Sequence, residues 1–118
     1  MIINKLPKGW KEVELGEICK IEKGRSITKN IIIEGKVPVI AGGQQPAYYH
    51  NKPNREGKTI TVSASGAYAG FVNYFEIPIY ASDCTTIQSK DENLLLTRFI
   101  YLLLKGKQEE IYAMQRGG

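Results

Sequence analysis

The hydrophobic and polar positions of this chain alternate most regularly between Thr59 and Gln88. At the start of that stretch, Ile60 and Val62 alternate with threonine and serine, which is the two-residue period of a half-buried β-strand. Turn residues then separate three more pieces rich in Val, Ile, Tyr, Phe and Thr. The four predicted strands are Thr59–Ala64, Gly70–Phe75, Ile77–Ala81 and Cys84–Gln88. The pattern predicts a small antiparallel sheet, in which Pro78 places the third strand at an edge or at a strand start.

Shorter patterns precede this sheet. Leu15–Cys19 has the composition of one helical turn, and a short strand is expected to follow it through Ile21. Val37–Ile40 predicts another strand, whereas Gly24–Asn30 is polar and basic and is expected to be an exposed loop. Trp10 is expected to anchor the N-terminal segment by packing.

A helical pattern follows the sheet. Ser89 and Glu92 have the S-x-x-E spacing of a capping box, which predicts a helix from about Asn93 to Lys105. This helix is apolar on nearly every side, so we expect it to be buried against the sheet. Gly106 is expected to end or bend it, and Gln108–Met114 to add a turn or two. The predicted fold class is α+β (α/β), one domain with a single twisted, mostly antiparallel sheet against a buried C-terminal helix.

The segment Ala41–Lys58 is long, polar and aromatic, with two adjacent glycines and two prolines, so little regular structure is expected in it. A loop of this length in a compact domain is often functional. Amides pair in two-pronged fashion with adenine, and Arg with guanine. The candidates for base edges are Gln44, Gln45, Asn51, Asn54 and Arg55, and those for aromatic and phosphate contacts are Tyr48, Tyr49 and Lys52. Alternatively, the polar side chains only solvate the loop while the tyrosines pin it to the core.

Two other segments offer contacts to a nucleic-acid backbone. In the turn Ser63–Gly70, the hydroxyls of Ser63 and Ser65 and the bare backbone amides could approach a phosphate, and Tyr68 is a further candidate there. The glycines of this turn also suit a tight hairpin with no ligand at all. The candidates in the earlier basic loop are Arg25, Thr28 and Lys29, with solvated charge as the alternative.

Charge and cysteine content change this picture only slightly. The chain has 16 basic and 12 acidic residues, a net charge of +4, which favours a polyanionic partner. Cys19 and Cys84 match no metal or redox spacing, and His50 is the one histidine, so we expect reduced thiols, no metal and no cofactor. The longest apolar run is too short to span a bilayer and no leader opens the chain, so we expect a cytoplasmic protein without membrane contact.

Enzymatic alternatives have thin support in the residues. Gly57-Lys58-Thr59 resembles the end of a phosphate-binding P-loop, but position 52 is lysine where that motif needs glycine. Asp83, Gln88 and Lys90 echo a metal-dependent nuclease, yet only one acid is present and divalent-metal catalysis wants more oxygen ligands. In the alternative, Asp83 caps a turn. A stand-alone metal-dependent nuclease and a protein-interaction module stay open as alternatives to a DNA reader.

The order of several short motifs along the chain is distinctive. The opening motifs are Leu6-Pro7-x-Gly-Trp10, Val13-x-Leu15-Gly-Glu-Ile18 and Lys23-Gly24. The middle motifs are Gly35-Lys-Val-Pro-Val-Ile40, Gly42-Gly43 and Gly66-x-x-x-Gly70-x-Val72. The closing motifs are Tyr80-Ala-Ser-Asp83 and Phe99-Ile-Tyr101-Leu-Leu103. In this order, the chain resembles the target recognition domains in specificity subunits of type I restriction-modification systems over nearly its whole length.

The resemblance implies a non-catalytic domain that binds double-stranded DNA. A full specificity subunit of that family has two such domains, joined by long paired helices, and each reads one half of a split site. It holds methyltransferase subunits and, through them, a restriction endonuclease subunit. This chain has one such domain and no long spacer helix, so residues 1–118 are expected to be a fragment or half of a longer specificity subunit. The family's motifs do not assign base-reading residues, so those candidates rest on side-chain chemistry alone.

Overall fold

The computed structural model describes residues 14–117, and the side chains of residues 14–115. The expected anchoring by Trp10 lies outside the described residues. The helices are α1 (Leu15–Ile18), α2 (Thr97–Lys105) and α3 (Gln108–Gly117), and a 3₁₀ turn spans Lys29–Ile31. The strands are β1 (Cys19–Lys23), β2 (Val37–Ile40), β3 (Tyr48–His50), β4 (Thr59–Ser63), β5 (Val72–Phe75), β6 (Tyr80–Ala81) and β7 (Cys84–Ser89). The fold class is therefore α+β, as the sequence predicted.

Two sheets form instead of the single sheet expected. The larger is antiparallel, with strand order β1-β7-β4-β5. The smaller has the order β3-β2-β6, and its β2–β6 pair is parallel. Little regular structure was expected in the segment 41–58, but it contains strand β3, which pairs with β2. The third predicted strand shortens to Tyr80–Ala81, beyond Pro78.

The first predicted strand, β4, lies between two other strands of the larger sheet, and residues on both of its faces are buried. In β4, Thr59, Ile60 and Thr61 are all buried. Ile60 packs into a core with Val72 and Ile100, on the helical side of the sheet. The threonines alternate with it and so face the opposite side. The strand thus loses its exposed face to tertiary packing, which a two-residue sequence period does not reveal.

The C-terminal helix begins later than its capping signal suggested. Ser89 is the last residue of β7, and α2 starts at Thr97 rather than Asn93. The Glu92 carboxylate accepts a hydrogen bond of 2.9 Å from the Thr97 backbone N–H and another from its hydroxyl. Glu92 therefore caps the N-terminus of α2, although it lies five residues before Thr97, the first residue of the helix. Gly106 ends α2, and α3 follows directly, as expected.

As expected, α2 packs against the larger sheet, but only one of its sides is buried. Ile100 is buried against the larger sheet, but Phe99, Leu102 and Leu103 are 51%, 57% and 56% exposed. A single sheet covers only the side of a helix that faces it, so a helix that is apolar all round keeps an exposed apolar side. No helix among the described residues is long and apolar enough to cross a membrane.

Both cysteines are free thiols with buried side chains. Burial raises the pKa of the Cys84 thiol to about 11, and its Sγ lies 3.6 Å from the Ile40 carbonyl oxygen. Burial also raises the pKa of the Cys19 thiol. Thiols of this kind behave as small hydrophobic side chains, and both are part of the core.

Candidate nucleic-acid interface

The short connection between β6 and β7 holds the basic loop 24–28 in place. The Arg25 backbone N–H donates to the Ala81 carbonyl at 2.9 Å, and the Ile27 N–H donates to the Ser82 hydroxyl at 3.3 Å. At Gly24 the backbones are so close that a Cβ would lie 2.1 Å from the Ser82 carbonyl oxygen. The backbone of this loop is therefore tied to the sheet, while the Arg25 side chain remains exposed.

Two further turns meet at the same connection. The Ser65 hydroxyl donates a hydrogen bond to the Asp83 carboxylate. The buried Ser63 hydroxyl donates to the Ala41 carbonyl at 3.4 Å, and a Cβ on Gly42 would lie 2.8 Å from the Ser65 carbonyl oxygen. The turns 41–46 and 63–70 thus contact each other. Together with the basic loop, they form one end of the molecule, which we call the loop end.

The amide candidates Gln44 and Gln45 lie at the loop end. Both are exposed, in the turn that connects β2 to β3. Tyr48 pairs with Val39 at the start of β3 and is 38% exposed, and its neighbour Tyr49 is 53% exposed. The tyrosines therefore do not anchor the segment in a core. Backbone pairing does so instead, and it leaves amides and aromatic rings available to a ligand.

The candidates Asn51 and Lys52 are separated from the glutamines by the length of β3. His50, which ends that strand, pairs with Val37 at the far end of the hairpin. Its ring is buried and accepts a 3.1 Å hydrogen bond from the Ile33 N–H at Nδ1. Asn51 and Lys52 are exposed directly after it. The candidate loop is therefore not one continuous reading flap, because a strand divides it into two groups.

Asn54 and Arg55 are used within the domain. Asn54 Oδ1 accepts from the Ala81 N–H at 2.7 Å, and its Nδ2 donates to the Ala81 carbonyl at 3.0 Å. Arg55 Nε donates to the Thr86 hydroxyl at 2.9 Å, and its terminal nitrogens donate to the carbonyls of Asn54 and Lys23 at 2.9 and 3.1 Å. These two residues join the smaller sheet to the larger one, so we leave them out of the proposed DNA contacts.

Replacing Asn54 by Ala should lower the free energy of unfolding by about 1–3 kcal/mol, because the N–H of the fully buried Ala81 loses its partner. Urea unfolding followed by circular dichroism measures this change. Asn51→Ala removes the same amide from an exposed position and should leave stability within about 0.5 kcal/mol of the parent. Equal losses in the two variants would contradict the structural role of Asn54.

The remaining candidates differ in availability. The Ser65 hydroxyl is committed to Asp83 and holds two turns together, and Ser63 is buried, so neither hydroxyl is free to donate to a phosphate. Tyr68 is 44% exposed in the same turn, whose Gly66 adopts φ +82°. A left-handed conformation there favours glycine, which supports the hairpin interpretation of this turn.

The positive candidates are exposed and unpaired. Salt bridges among residues 14–115 join Lys20 to Glu22 and Lys107 to Glu110, and none involves Arg25, Lys29 or Lys52. Thr28 and Lys29 are exposed at the 3₁₀ turn. A cation without an internal partner loses nothing within the domain when it binds a phosphate.

Sequence reasoning missed the part that Ser82 and Asp83 play in organising the loop end. The signal was present in the motif Tyr80-Ala-Ser-Asp83, but the residue types alone suggested only a turn cap or a metal ligand at Asp83. The three residues that suggested a nuclease each form hydrogen bonds elsewhere in the domain. Asp83 accepts one from Ser65, Gln88 donates one to Thr59, and Lys90 donates to backbone carbonyls of α1. Within the described part of the chain, no three His, Cys, Asp or Glu residues could hold a metal together.

Known proteins resemble this chain in sequence. A family described as the type I restriction modification DNA specificity domain matches residues 7–118. A Mycoplasma pneumoniae protein that bears the name of a type I specificity subunit is 25% identical over 111 residues, which are 92% of this chain and 30% of that protein.

Solved structures have the same fold. The S subunit of a type I restriction-modification system from M. genitalium superposes with a TM-score of 0.80 at 26% identity, over 89% of this chain and 28% of that one. The HsdS subunit from Thermoanaerobacter tengcongensis has a TM-score of 0.69 at 20% identity, over 92% and 30% respectively, and shows the fold alone. The chain spans less than a third of the length of each of these relatives. It belongs to the family of type I restriction-modification DNA specificity domains.

Proposed function

We propose that this domain reads one half of a bipartite duplex DNA target on behalf of a type I restriction-modification complex, and that it catalyses no bond change itself. The observation that carries the proposal is the exposed Gln44–Gln45 turn, fixed to a rigid scaffold by the contacts of the loop end, in a chain whose family is defined by DNA specificity. Side chains that read base edges must be both accessible and held in register.

Binding combines two kinds of contact. Arg25, Lys29 and Lys52 neutralise phosphates and release counterions, which provides affinity without sequence information. Gln44 and Gln45 contact base edges, where an amide can donate to and accept from one adenine at the same time. Tyr48, Tyr49 and Tyr68 are exposed and add contacts to sugars or bases, and Thr28 and Asn51 add hydrogen bonds to the DNA backbone.

The partners follow from the part of the family's subunit that this chain represents. The chain spans 28–30% of the lengths of the three relatives named above, and we infer that a second domain reads the other half-site. We infer that the whole subunit holds a methyltransferase and, through it, the restriction endonuclease. A single domain buries limited surface on DNA, so its affinity alone should be modest and should rise when two are joined. The cytoplasmic location stays a prediction.

Selection of duplexes from a random-sequence library by the 118-residue chain tests the proposal. We expect enrichment of one short motif whose length fits a half-site. Enrichment should survive moderate salt, since base contacts persist where phosphate contacts weaken. A bound pool that stays random at every salt concentration would show that the domain holds DNA without reading it, and the proposed function would fail.

Replacing Lys52 by Ala should weaken binding to every duplex alike. The slope of log affinity against log salt should become shallower by about 0.9, because one phosphate is no longer neutralised. Titrations of selected and scrambled duplexes at several salt concentrations measure both effects. Lys107→Ala is the matched control, because it removes the same charge from the helical side of the domain, where Lys107 contacts Glu110 at 3.9 Å. Identical slopes for the parent and both variants would remove Lys52 from the interface.

A further inference from the structure

A cavity of about 150 Å³ lies beneath the turn 43–46, between that turn and the β4–β5 pair. Its floor comes from strand positions that face each other: Thr61 of β4 is paired with Asn73 of β5. Every second residue of a strand points to the same face, so Phe71 and Phe75 flank Asn73 on the cavity side. The cavity therefore combines polar groups at its centre with an aromatic ring on each side.

The polar groups of the floor are available to a ligand. Thr61 is 2% exposed, and its side chain forms no hydrogen bond within the described residues. Fully buried polar side-chain atoms in this part of the chain all have partners, so the Thr61 hydroxyl must open into the cavity. Asn73 Oδ1 accepts from the Tyr74 N–H at 2.9 Å, which leaves the Asn73 Nδ2 without a partner among these residues. A hydroxyl and an amide donor thus face the same space.

One aromatic wall of the cavity, the Phe71 ring, has a cationic partner. The Lys105 ammonium lies 4.0 Å from the centroid of the Phe71 ring, and it also donates to the Val72 carbonyl at 2.7 Å. A cation is attracted to the face of an aromatic ring, so this contact stabilises the position of the Phe71 ring. Aromatic walls favour flat ligands, which can stack on them or meet their edges.

The volume indicates the size of ligand that suits this space. A protein cavity of about 150 Å³ accommodates benzene, a single six-membered ring. A pyrimidine has the same single six-membered ring, whereas a purine adds a second ring to it. The hydrogen-bonding edge of a pyrimidine also suits the Thr61 hydroxyl and the Asn73 amide, as pockets for extruded bases usually combine polar contacts to the base edge with apolar walls.

We propose that this cavity is a binding site for a pyrimidine ring. Gln44 and Gln45 form its rim and are exposed, so the site opens onto the surface assigned to DNA. The ring has two possible sources, an unstacked pyrimidine of the bound duplex or a free pyrimidine nucleoside. Only the first of these rests on the proposed function. Extruding a base costs the unstacking energy, which is least at a mismatched or weakly stacked position.

The first arm of the test uses free nucleosides. Thymidine is titrated to millimolar concentration into the 118-residue chain while the backbone amides of Thr61 and Asn73 are followed by NMR. Both signals are expected to shift with thymidine and not with adenosine. Thr61→Val keeps the shape of the side chain and removes its hydroxyl, so it should weaken binding about two- to tenfold. Asn73→Leu is the second variant, for use if the first one does not fold.

The second arm uses a duplex recovered by selection, with a fluorescent cytosine analogue placed at one pyrimidine position at a time. If the duplex supplies the ring, one position brightens when the protein binds, and Thr61→Val reduces that brightening while general affinity is kept. If only the free-nucleoside arm responds, the site is a pyrimidine site whose ligand is not the duplex.

The outcomes separate this inference from the function on which one arm rests. If the duplex is bound selectively but neither arm shows a pyrimidine response, the pyrimidine site is wrong and the DNA-reading function stands. If no duplex is read at all, the free-nucleoside arm still decides the site. Equal binding of adenosine and thymidine overturns the inference, since the inference assigns the space to a single six-membered ring.

Discussion

Replacing Gly24 by Ala is expected to destabilise the domain by about 3 kcal/mol or more, a large part of the total stability of a small domain. An added Cβ would lie 2.1 Å from the Ser82 carbonyl oxygen and 2.8 Å from the Ala81 carbonyl. All of these atoms are backbone, so no flexible side chain can move aside. Relief requires the loop 24–28 to leave the sheet, which breaks the hydrogen bond from the Arg25 N–H to the Ala81 carbonyl.

The measurement is the urea midpoint of Gly24→Ala, compared with that of Gly43→Ala. The matched control adds the same methyl group where the nearest atom would be 3.8 Å away, and it should change stability little. If both variants unfold at the parental midpoint, the close approach of the loop to the β6–β7 connection is incorrect. Where Gly24→Ala remains folded at low temperature, its affinity for DNA should fall, because Arg25 is no longer held at the loop end.

The double variant Gln44→Ala/Gln45→Ala is expected to lose most of its preference for the selected duplex while keeping its affinity for scrambled DNA. Each two-pronged amide contact discriminates by about 1–3 kcal/mol, which corresponds to roughly 5- to 150-fold per base. Both side chains are exposed and make no hydrogen bond within the described residues, so their removal should leave stability unchanged. Competition binding between selected and scrambled duplexes measures the preference directly.

A matched control removes an exposed amide outside the loop end. Asn93 is exposed, between β7 and α2. Asn93→Ala should therefore bind both duplexes as the parent does. If the Gln44 and Gln45 variant instead loses the same factor for selected and scrambled DNA, the turn positions the backbone, and base reading belongs to other residues.

The first prediction concerns the stability of the loop end, and the second concerns the side chains that the loop end presents to DNA in the proposed function. Gly24 allows the backbone of one loop to lie against the β6–β7 connection. The turn that carries the glutamines lies against Ser65, and the Ser65 hydroxyl donates a hydrogen bond to Asp83 of that connection. In the proposed function, the contacts that provide affinity and specificity lie on loops, and the relative positions of those loops depend on a backbone contact. A loss of stability at Gly24 and a loss of discrimination at Gln44 and Gln45 should accordingly be separable measurements.

Local patterns determined the elements that depend on local forces. The period of two in Thr59–Ser63, the β-branched residues of Cys84–Ser89 and the helical turn at Leu15–Ile18 all appear as elements close to their expected bounds. Strand and helix preferences depend on a few neighbouring residues, so they can be recognised in a single sequence. The order of short motifs also indicated the family, which the match over residues 7–118 confirms.

Properties that depend on contacts between residues distant in sequence could be known only from the tertiary structure. Asn54 and Arg55 have the chemistry of base readers, but the folded chain brings Ala81 and Thr86 to them, and their hydrogen-bonding groups are used there. The same long-range packing divides the expected sheet in two, exposes the outer side of α2 and gathers three loops around Ser82 and Asp83. The sequence by itself determined which side chains could bind DNA. Only the fold decided which of them remain free, because a hydrogen bond within the protein and one to a ligand compete for the same atoms.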